Sequence, residues 1–67
     1  MNAEPNKIIK RLYSVEEAAV YLGRSEWSIR HLIWDGSLPQ VKVGRRVQVD
    51  VVDLNAFIER NKEQLAA

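Results

Sequence analysis

The chain has 67 residues and a formal net charge of +1, so we expect one small domain without overall basicity. A domain of this size buries only about 60% of its unfolded surface, which leaves little room for a catalytic cleft or a small-molecule substrate. With no cysteine and a single histidine, disulfides, thiolate metal sites and the usual zinc sites are excluded. No run approaches the roughly 18 apolar residues of a membrane span, nor is there a signal-peptide core, so we expect a cytoplasmic protein without metal or cofactor.

The first residues, "MNAEPNKIIK", have no hydrophobic periodicity and contain a proline. We therefore predict a flexible arm over residues 1–11, with lysines that are simply solvated. The folded domain is predicted over residues 12–60, and a frayed tail over residues 61–67.

A first helix is predicted after Ser14, because Ser14 and Glu17 have the spacing of a capping box. Gly23 is typical of a helix end. The helix has a narrow apolar face, formed by Val15, Ala18, Ala19 and Leu22.

Ser25 is predicted to cap a second helix that runs through Asp35 and ends at Gly36. Only Gly23 and Arg24 separate the two helices, a connection too tight for an antiparallel pair and typical of a helix-turn-helix. Pro39, in the following "GSLPQ", prevents the helix from continuing.

The segment "VKVGRRVQVD" changes to an alternation of two residues, which predicts two strands joined at Gly44-Arg45 by a tight turn of the II′ kind. We expect its four valines, Val41, Val43, Val47 and Val49, to form one face that packs on the helices. The polar face, with Lys42 and Arg46, is then expected to point outward.

Asp50 is predicted to cap a third helix, with Asp53 at the capping-box position. Its core stripe is formed by Val51, Leu54, Phe57 and Ile58. The fold class predicted is α+β: a small winged helix-turn-helix with three helices and a two-stranded β-hairpin wing between the second and third helices.

The second helix has two different faces. An inner stripe is formed by Ile29, Leu32 and Ile33. A nearly opposite stripe, at positions i, i+3, i+4 and i+7, is formed by Trp27, Arg30, His31 and Trp34. The two stripes cannot be buried in the same core.

The outer stripe is where a helix-turn-helix meets the major groove of DNA. Arg30 offers paired donors that fit guanine, and His31 can donate to or accept from a base edge or phosphate. The hairpin tip brings Lys42, Arg45 and Arg46 toward an adjacent minor groove or its phosphates.

Structural explanations stay open for each cluster. The two tryptophans can cover the hairpin or the arm as a second minor core, and Arg30 and His31 can be an ordinary solvated face. The cations of the hairpin can guard an edge strand against aggregation. Both clusters, however, fall where a winged helix would meet DNA.

The segments "SVEEAAVYLG", "LIWDGSLP", "VKVGRRVQV" and "DLNAFIE" together resemble the excisionase-type, MerR-like winged-helix DNA-binding family over residues 12–60. The resemblance implies a second helix that reads the major groove and a glycine-arginine wing. The chain departs from the family at Glu26 and Trp34, which are often basic there, and at Arg24, usually small and apolar. The candidate DNA-binding residues are Ser25, Trp27, Ser28, Arg30, His31 and Trp34 on the second helix, Lys42, Gly44, Arg45 and Arg46 in the wing, and Arg24 as a phosphate contact.

The resemblance implies a prophage or mobile-element excisionase, a recombination directionality factor. Such a protein binds double-stranded DNA cooperatively with other copies, bends it and promotes excision by a partner integrase or recombinase. A small prokaryotic transcriptional regulator on the same fold is the first alternative, and a protein-interaction module that does not bind DNA is the second. We expect no enzyme, because one histidine on an exposed helix cannot be assembled with a nucleophile and an orienting group.

Overall fold

The structure, a computed structural model, describes residues 10–63. It contains, in chain order, β1 Leu12–Ser14, α1 Val15–Leu22, α2 Glu26–Trp34, β2 Val41–Val43, β3 Arg46–Asp50 and α3 Val51–Arg60. The predicted α+β class, with three helices and a hairpin between the second and third, is confirmed. Residues 1–9 of the predicted arm and 64–67 of the predicted tail lie outside the described part. Within that part, no helix has the length and apolar character needed to cross a membrane.

The start of α1 is the capping box that the sequence predicts. The Ser14 hydroxyl accepts a hydrogen bond from the Glu17 amide at 3.1 Å, and the Ser14 amide donates to the Glu17 carboxylate at 2.9 Å. The helix ends at Gly23, whose φ of 69° lies in the left-handed region that glycine tolerates best.

The helix α2 begins as predicted and ends one residue early. The Ser25 hydroxyl accepts from the Ser28 amide at 3.1 Å, which is the expected N-terminal cap. The last helical residue is Trp34, and Asp35 forms the C-terminal cap instead of extending the helix. The helix-turn-helix is therefore α1, a connection of three residues from Gly23 to Ser25, and α2.

The hairpin forms as predicted, but its register divides the valines between two faces. Val43 pairs with Arg46, and Lys42 pairs with Val47, so the turn is Gly44-Arg45. Gly44 has a positive φ of 61° and Arg45 does not, which is the II′ pattern.

Paired residues point to the same face of a sheet, so Val43 shares a face with Arg46, and Lys42 shares one with Val47. The prediction of a single valine face was wrong: Val49 is fully buried and Val47 packs on the core, whereas Val43 is 64% exposed. The residues on either side of a two-residue turn, here Val43 and Arg46, lie opposite each other and share a face although they are three positions apart. The alternation of faces is therefore shifted by one residue across the turn, so that Val47 faces away from Val43.

A third strand, β1, is absent from the sequence prediction. It pairs antiparallel with β3, with Tyr13 opposite Val49, and the strand order is β1-β3-β2. The pairing is reinforced by the Arg11 guanidinium, which donates to both carboxylate oxygens of Asp50 at 2.9 to 3.2 Å. Arg11 belongs to the predicted arm, and in the structure it joins β1 to the start of α3.

Asp50 caps α3 by accepting from the Val52 amide at 2.9 Å, so Asp53 does not complete a second capping box of the kind found at Ser14. The hydrogen bond from Arg11, followed by the one from the Val52 amide, lowers the pKa of Asp50 below its usual value. The cap therefore stays ionised over a wide pH range.

The core combines residues from all three helices, the central strand and one loop. Its fully or nearly buried members are Val15, Ala18, Ala19, Ile29, Leu38, Val49 and Leu54. The inner faces predicted for α1 and α2 are confirmed, with Leu22, Leu32 and Ile33 packed around this centre. Of the stripe predicted for α3, Leu54 is buried and Phe57 packs on the core, whereas Val51 and Ile58 are half-buried outside it. Leu38, from the loop predicted in "GSLPQ", is buried and was missed.

Candidate nucleic-acid interface

The outer face of α2 carries three aromatic rings in a row. The Trp27 and His31 ring centroids are 4.0 Å apart, and those of His31 and Trp34 are 5.6 Å apart. The one-turn spacing along α2 produces this row, because residues three and four positions apart lie on the same side of a helix. We call Trp27, His31 and Trp34 the aromatic ridge.

The indoles of the ridge lie in solvent. Trp27 is 65% exposed and Trp34 is 70% exposed, so neither is part of the core or covered by the hairpin. This contradicts the explanation that they form a second minor core with the hairpin. Residues 1–9 of the arm, the other surface that the explanation names, lie outside the described residues. Arg30 and His31, between them in the sequence, are also exposed.

Arg30 of α2 and Arg45 at the wing tip line the same open concavity, of about 260 Å³. Its remaining lining comes from the start of α1 and from β3, by Ser14, Val15, Glu16 and Val47. The tight turn from Gly23 to Ser25 and the packing of Val47 on the core bring α1, α2 and the wing together. We call this depression the arginine concavity.

The start of α1 belongs to this surface, which the sequence pattern does not predict. The capping box uses the amides of Ser14 and Glu17 but not those of Val15 and Glu16, two residues that line the concavity. Amides at a helix start, together with the helix dipole, favour an anion. The Glu16 carboxylate opposes one. The signal in the sequence that could have placed the start of α1 on this surface is the capping box at Ser14, next to the predicted recognition helix.

The cations of this surface differ from the other cations in their pairing. In residues 10–63, ion pairs join Lys10 to Glu17, Arg11 to Asp50 and Lys62 to Glu59. The four candidate DNA-binding cations of α2 and the wing take part in none of these pairs: Arg30, Lys42, Arg45 and Arg46. None of these four cations therefore has a direct ion-pair partner in the described part of the chain.

The register of the hairpin divides the cations of the wing. Lys42 shares the face of Val47, which lines the arginine concavity, whereas Arg46 shares the opposite face with Val43. The expectation of one outward polar face with Lys42 and Arg46 together was wrong. Gly44, predicted as a wing residue, contributes the positive φ that forms the turn and exposes Arg45 at its tip.

Two other candidate residues are occupied by local bonds. The Arg24 guanidinium donates to the Ser28 hydroxyl at 2.7 Å, and the Ser25 hydroxyl caps α2. Arg24 is thereby held at the start of α2, three residues before Trp27 in the sequence.

The C-terminal end of the ridge is next to a carboxylate. Asp35 follows Trp34 at the C-terminal cap of α2, and its pKa is lowered, first by hydrogen bonds from Ser37 and then by the positive field of His31. Its carboxylate accepts from the Ser37 amide at 2.9 Å. A negative charge at this position disfavours a DNA phosphate beside the end of α2, so the cationic half of the surface is the half near Arg30 and the wing.

The fold and this surface together define a winged helix-turn-helix: α1 and α2 form the motif, and β2 and β3 form the wing. A family model described as a helix-turn-helix domain matches residues 12–62. The match covers more than half of the chain, and the chain belongs to this family of small DNA-binding domains. Comparisons with curated proteins and with solved structures find no match.

Proposed function

We propose that the protein binds double-stranded DNA in a sequence-specific manner, with the outer face of α2 in the major groove and the wing on the adjacent backbone or minor groove. The observation that carries the proposal is the convergence of Arg30 and Arg45 on one open concavity, without an ion-pair partner for either among residues 10–63. Unpaired cations on two elements that face the same way suit the phosphates of a duplex.

Each candidate residue then has a separate role. Arg30 reads a guanine through its paired donors, and His31 contacts a neighbouring base edge or phosphate. Arg45 and Lys42 contact phosphates or the minor groove from the concavity side of the wing, and Arg46 does so from its other face. The hydrogen-bonded start of α2, formed by Arg24, Ser25 and Ser28, approaches the sugar-phosphate backbone of the DNA.

We propose an excisionase-like role in a prokaryotic cytoplasm. One winged domain buries roughly 600–1,000 Å² on DNA, and such modules bind non-specific DNA only at about 10⁻⁴ to 10⁻⁶ M. One copy is too weak for precise action, which favours cooperative binding of several copies, or contact with an integrase or recombinase. Bending the DNA costs on the order of 1–6 kcal/mol and is offset by the additional contacts. The output on this proposal is DNA architecture and not catalysis.

A protein-interaction module without DNA binding is the second candidate, and the exposure of Trp27 and Trp34 favours it, since large exposed indoles commonly anchor protein interfaces. A transcriptional regulator on the same fold would use the same DNA surface, and the genes next to this one distinguish it from an excisionase. The position of an integrase gene beside it would favour the excisionase.

The test measures binding to duplex DNA by fluorescence anisotropy at several salt concentrations, with Arg30→Ala, Arg45→Ala and the matched control Lys62→Ala. We expect Arg45→Ala to reduce the slope of log affinity against log salt by about 0.9, because one phosphate contact is lost. Arg30→Ala weakens binding to the preferred sequence by roughly tenfold or more, and Lys62→Ala has no effect. Unchanged affinity in both arginine variants would favour the protein-interaction module.

A further inference from the structure

We propose that the aromatic ridge gives the protein a preference for thymine, through contacts of Trp27 and Trp34 with the C5-methyl groups of two thymines on either side of the guanine read by Arg30. This proposal rests on the proposed DNA binding and names the base pairs that the same surface selects. It assigns the two indoles to base recognition and not to a protein partner.

The chemistry of the groove leads to this assignment. An indole has one N–H donor and no acceptor, so most of its exposed area is apolar. Among base edges in the major groove, the thymine methyl is the apolar group. An apolar side chain that enters that groove on α2 is therefore complementary to thymine, and leaves the polar edges of other bases without partners.

The charges near the ridge distinguish DNA from a purely apolar partner. Arg30 is exposed between the two tryptophans in the sequence, and it lines the concavity with Arg45. Burying these unpaired guanidinium groups under an apolar protein surface would carry a large desolvation cost. A surface that has apolar groups in a groove and phosphates at its edge satisfies both the indoles and the arginines.

His31 keeps the two indoles in position. Its ring packs 4.0 Å from Trp27 and 5.6 Å from Trp34, centroid to centroid, so it fills the space between them. An exposed side chain loses rotamer freedom when it binds, and contact with His31 reduces that loss. His31 is on this view a positioning residue for the indoles as well as a polar contact.

The spacing predicts the pattern of bases. Trp27 and Trp34 are seven residues apart, which is about 10 Å along a helix with a rise of 1.5 Å per residue. Base pairs are spaced by about 3.4 Å, so the two indoles are separated by about three base-pair steps. Arg30 lies between them, and the selected sequence therefore has a guanine with a thymine on each side, within about four base pairs.

The experiment first selects duplexes from a random pool with the full chain, and then replaces each thymine of the selected core, in turn, with deoxyuracil. Deoxyuracil lacks only the methyl group and keeps the hydrogen-bonding edge. We expect each of two replacements to weaken binding by the wild type about fourfold, the value of burying one group of this size. Replacement at one thymine has no effect in Trp27→Ala, and replacement at the other has none in Trp34→Ala.

Val20→Ala is the matched control, because Val20 is 84% exposed on α1 and does not line the arginine concavity. This variant should keep the full sensitivity to both replacements. Circular dichroism of each variant checks that it is folded, as expected for substitutions at solvent-exposed positions.

Three results overturn the proposal: selected duplexes without thymines beside the guanine, no effect of deoxyuracil at any position, or the same loss in the wild type and both tryptophan variants. If Arg30→Ala still weakens duplex binding in these cases, the proposed DNA binding stands and only the thymine contact fails. If the wild type binds no duplex, both proposals fail.

Discussion

Two exposed surfaces of the domain contain similar residue types but differ in how their polar groups are satisfied. The first is the aromatic ridge with the arginine concavity. The second, which we call the tyrosine surface, is an apolar concavity of about 320 Å³ lined by Lys10, Tyr13, Glu17, Val20 and Tyr21. Both carry aromatic rings, a basic side chain and an acidic one.

The polar groups of the tyrosine surface are paired within the protein. Lys10 pairs with Glu17, the Tyr21 hydroxyl donates to the Asn55 side chain at 2.6 Å, and the rings of Tyr13 and Tyr21 meet edge to face at 5.4 Å. Arg30 and Arg45 of the other surface have no ion-pair partner in residues 10–63. The tyrosine surface therefore holds β1, α1 and α3 together, whereas the aromatic ridge with the arginine concavity, which we call the arginine surface, is available for a ligand.

The largest effect is expected when an aromatic ring is removed from each surface. Tyr13→Ala should lower the free energy of unfolding by about 2 kcal/mol, because the half-buried ring packs on the core and on Tyr21. Trp27→Ala removes a larger side chain that is 65% exposed, and should cost less than about 0.5 kcal/mol. Denaturant unfolding measures both, and equal losses would erase the distinction between the surfaces.

A smaller effect is expected from Tyr21→Phe. The variant loses the hydrogen bond to Asn55 and should be less stable by about 0.5–1 kcal/mol, with no change in DNA affinity. Asn55→Ala tests the same bond from the other side. Because both variants remove the same hydrogen bond, the double variant should lose less stability than the sum of the losses in the two single variants. Additive losses would mean that the bond contributes nothing to stability.

The acidic residue of the arginine concavity gives a change in the opposite direction. Glu16→Gln removes a carboxylate that lines the same depression as Arg30 and Arg45, and should strengthen duplex binding by about twofold to fourfold at low salt. Glu63→Gln makes the same charge change near the end of the described chain and should have a smaller effect. Weaker binding by Glu16→Gln would show that the concavity does not receive a phosphate.

The smallest effect concerns pH. The pKa of Asp50 is lowered by Arg11, and that of Glu17 is lowered mainly by Lys10, from usual values of 3.8 and 4.5. A carboxyl with a lowered pKa stabilises the fold above its unfolded pKa, and this stability is lost as the pH falls through its folded value. When the pH is lowered below about 4, the melting temperature should therefore decrease, and the decrease should be smaller in Asp50→Asn. An equal fall in that variant would assign acid unfolding to other groups.

The sequence predicts the elements that depend on local signals. The capping box at Ser14 and the caps at Ser25 and Asp50 locate the three predicted helix starts. Gly44 locates the turn, and the 3.6-residue period separates the inner and outer faces of α2. These signals involve residues only a few positions apart. Helix starts, turns and helix faces of this kind can therefore be predicted from the sequence before the fold is known.

Features that depend on distant residues could not be predicted in the same way. The strand β1 has three residues, too few for a visible alternation, and its partner β3 lies more than thirty residues later. The faces of the valines depend on pairing across the turn. The contribution of the α1 start to the arginine concavity appears only when β3 and α2 are packed against it. Long-range pairing and packing decide these features, and local periodicity does not.

The central claim is that the arginine surface, and not the tyrosine surface, receives duplex DNA. Amide and side-chain NMR signals recorded during titration with a duplex test it most directly. We predict shifts at the start of α1, at both indoles of the ridge, at Arg30 and at Arg45, with Val20 and Tyr21 unchanged. Shifts centred on Val20 and Tyr21, with the two indole signals unmoved, would contradict the account.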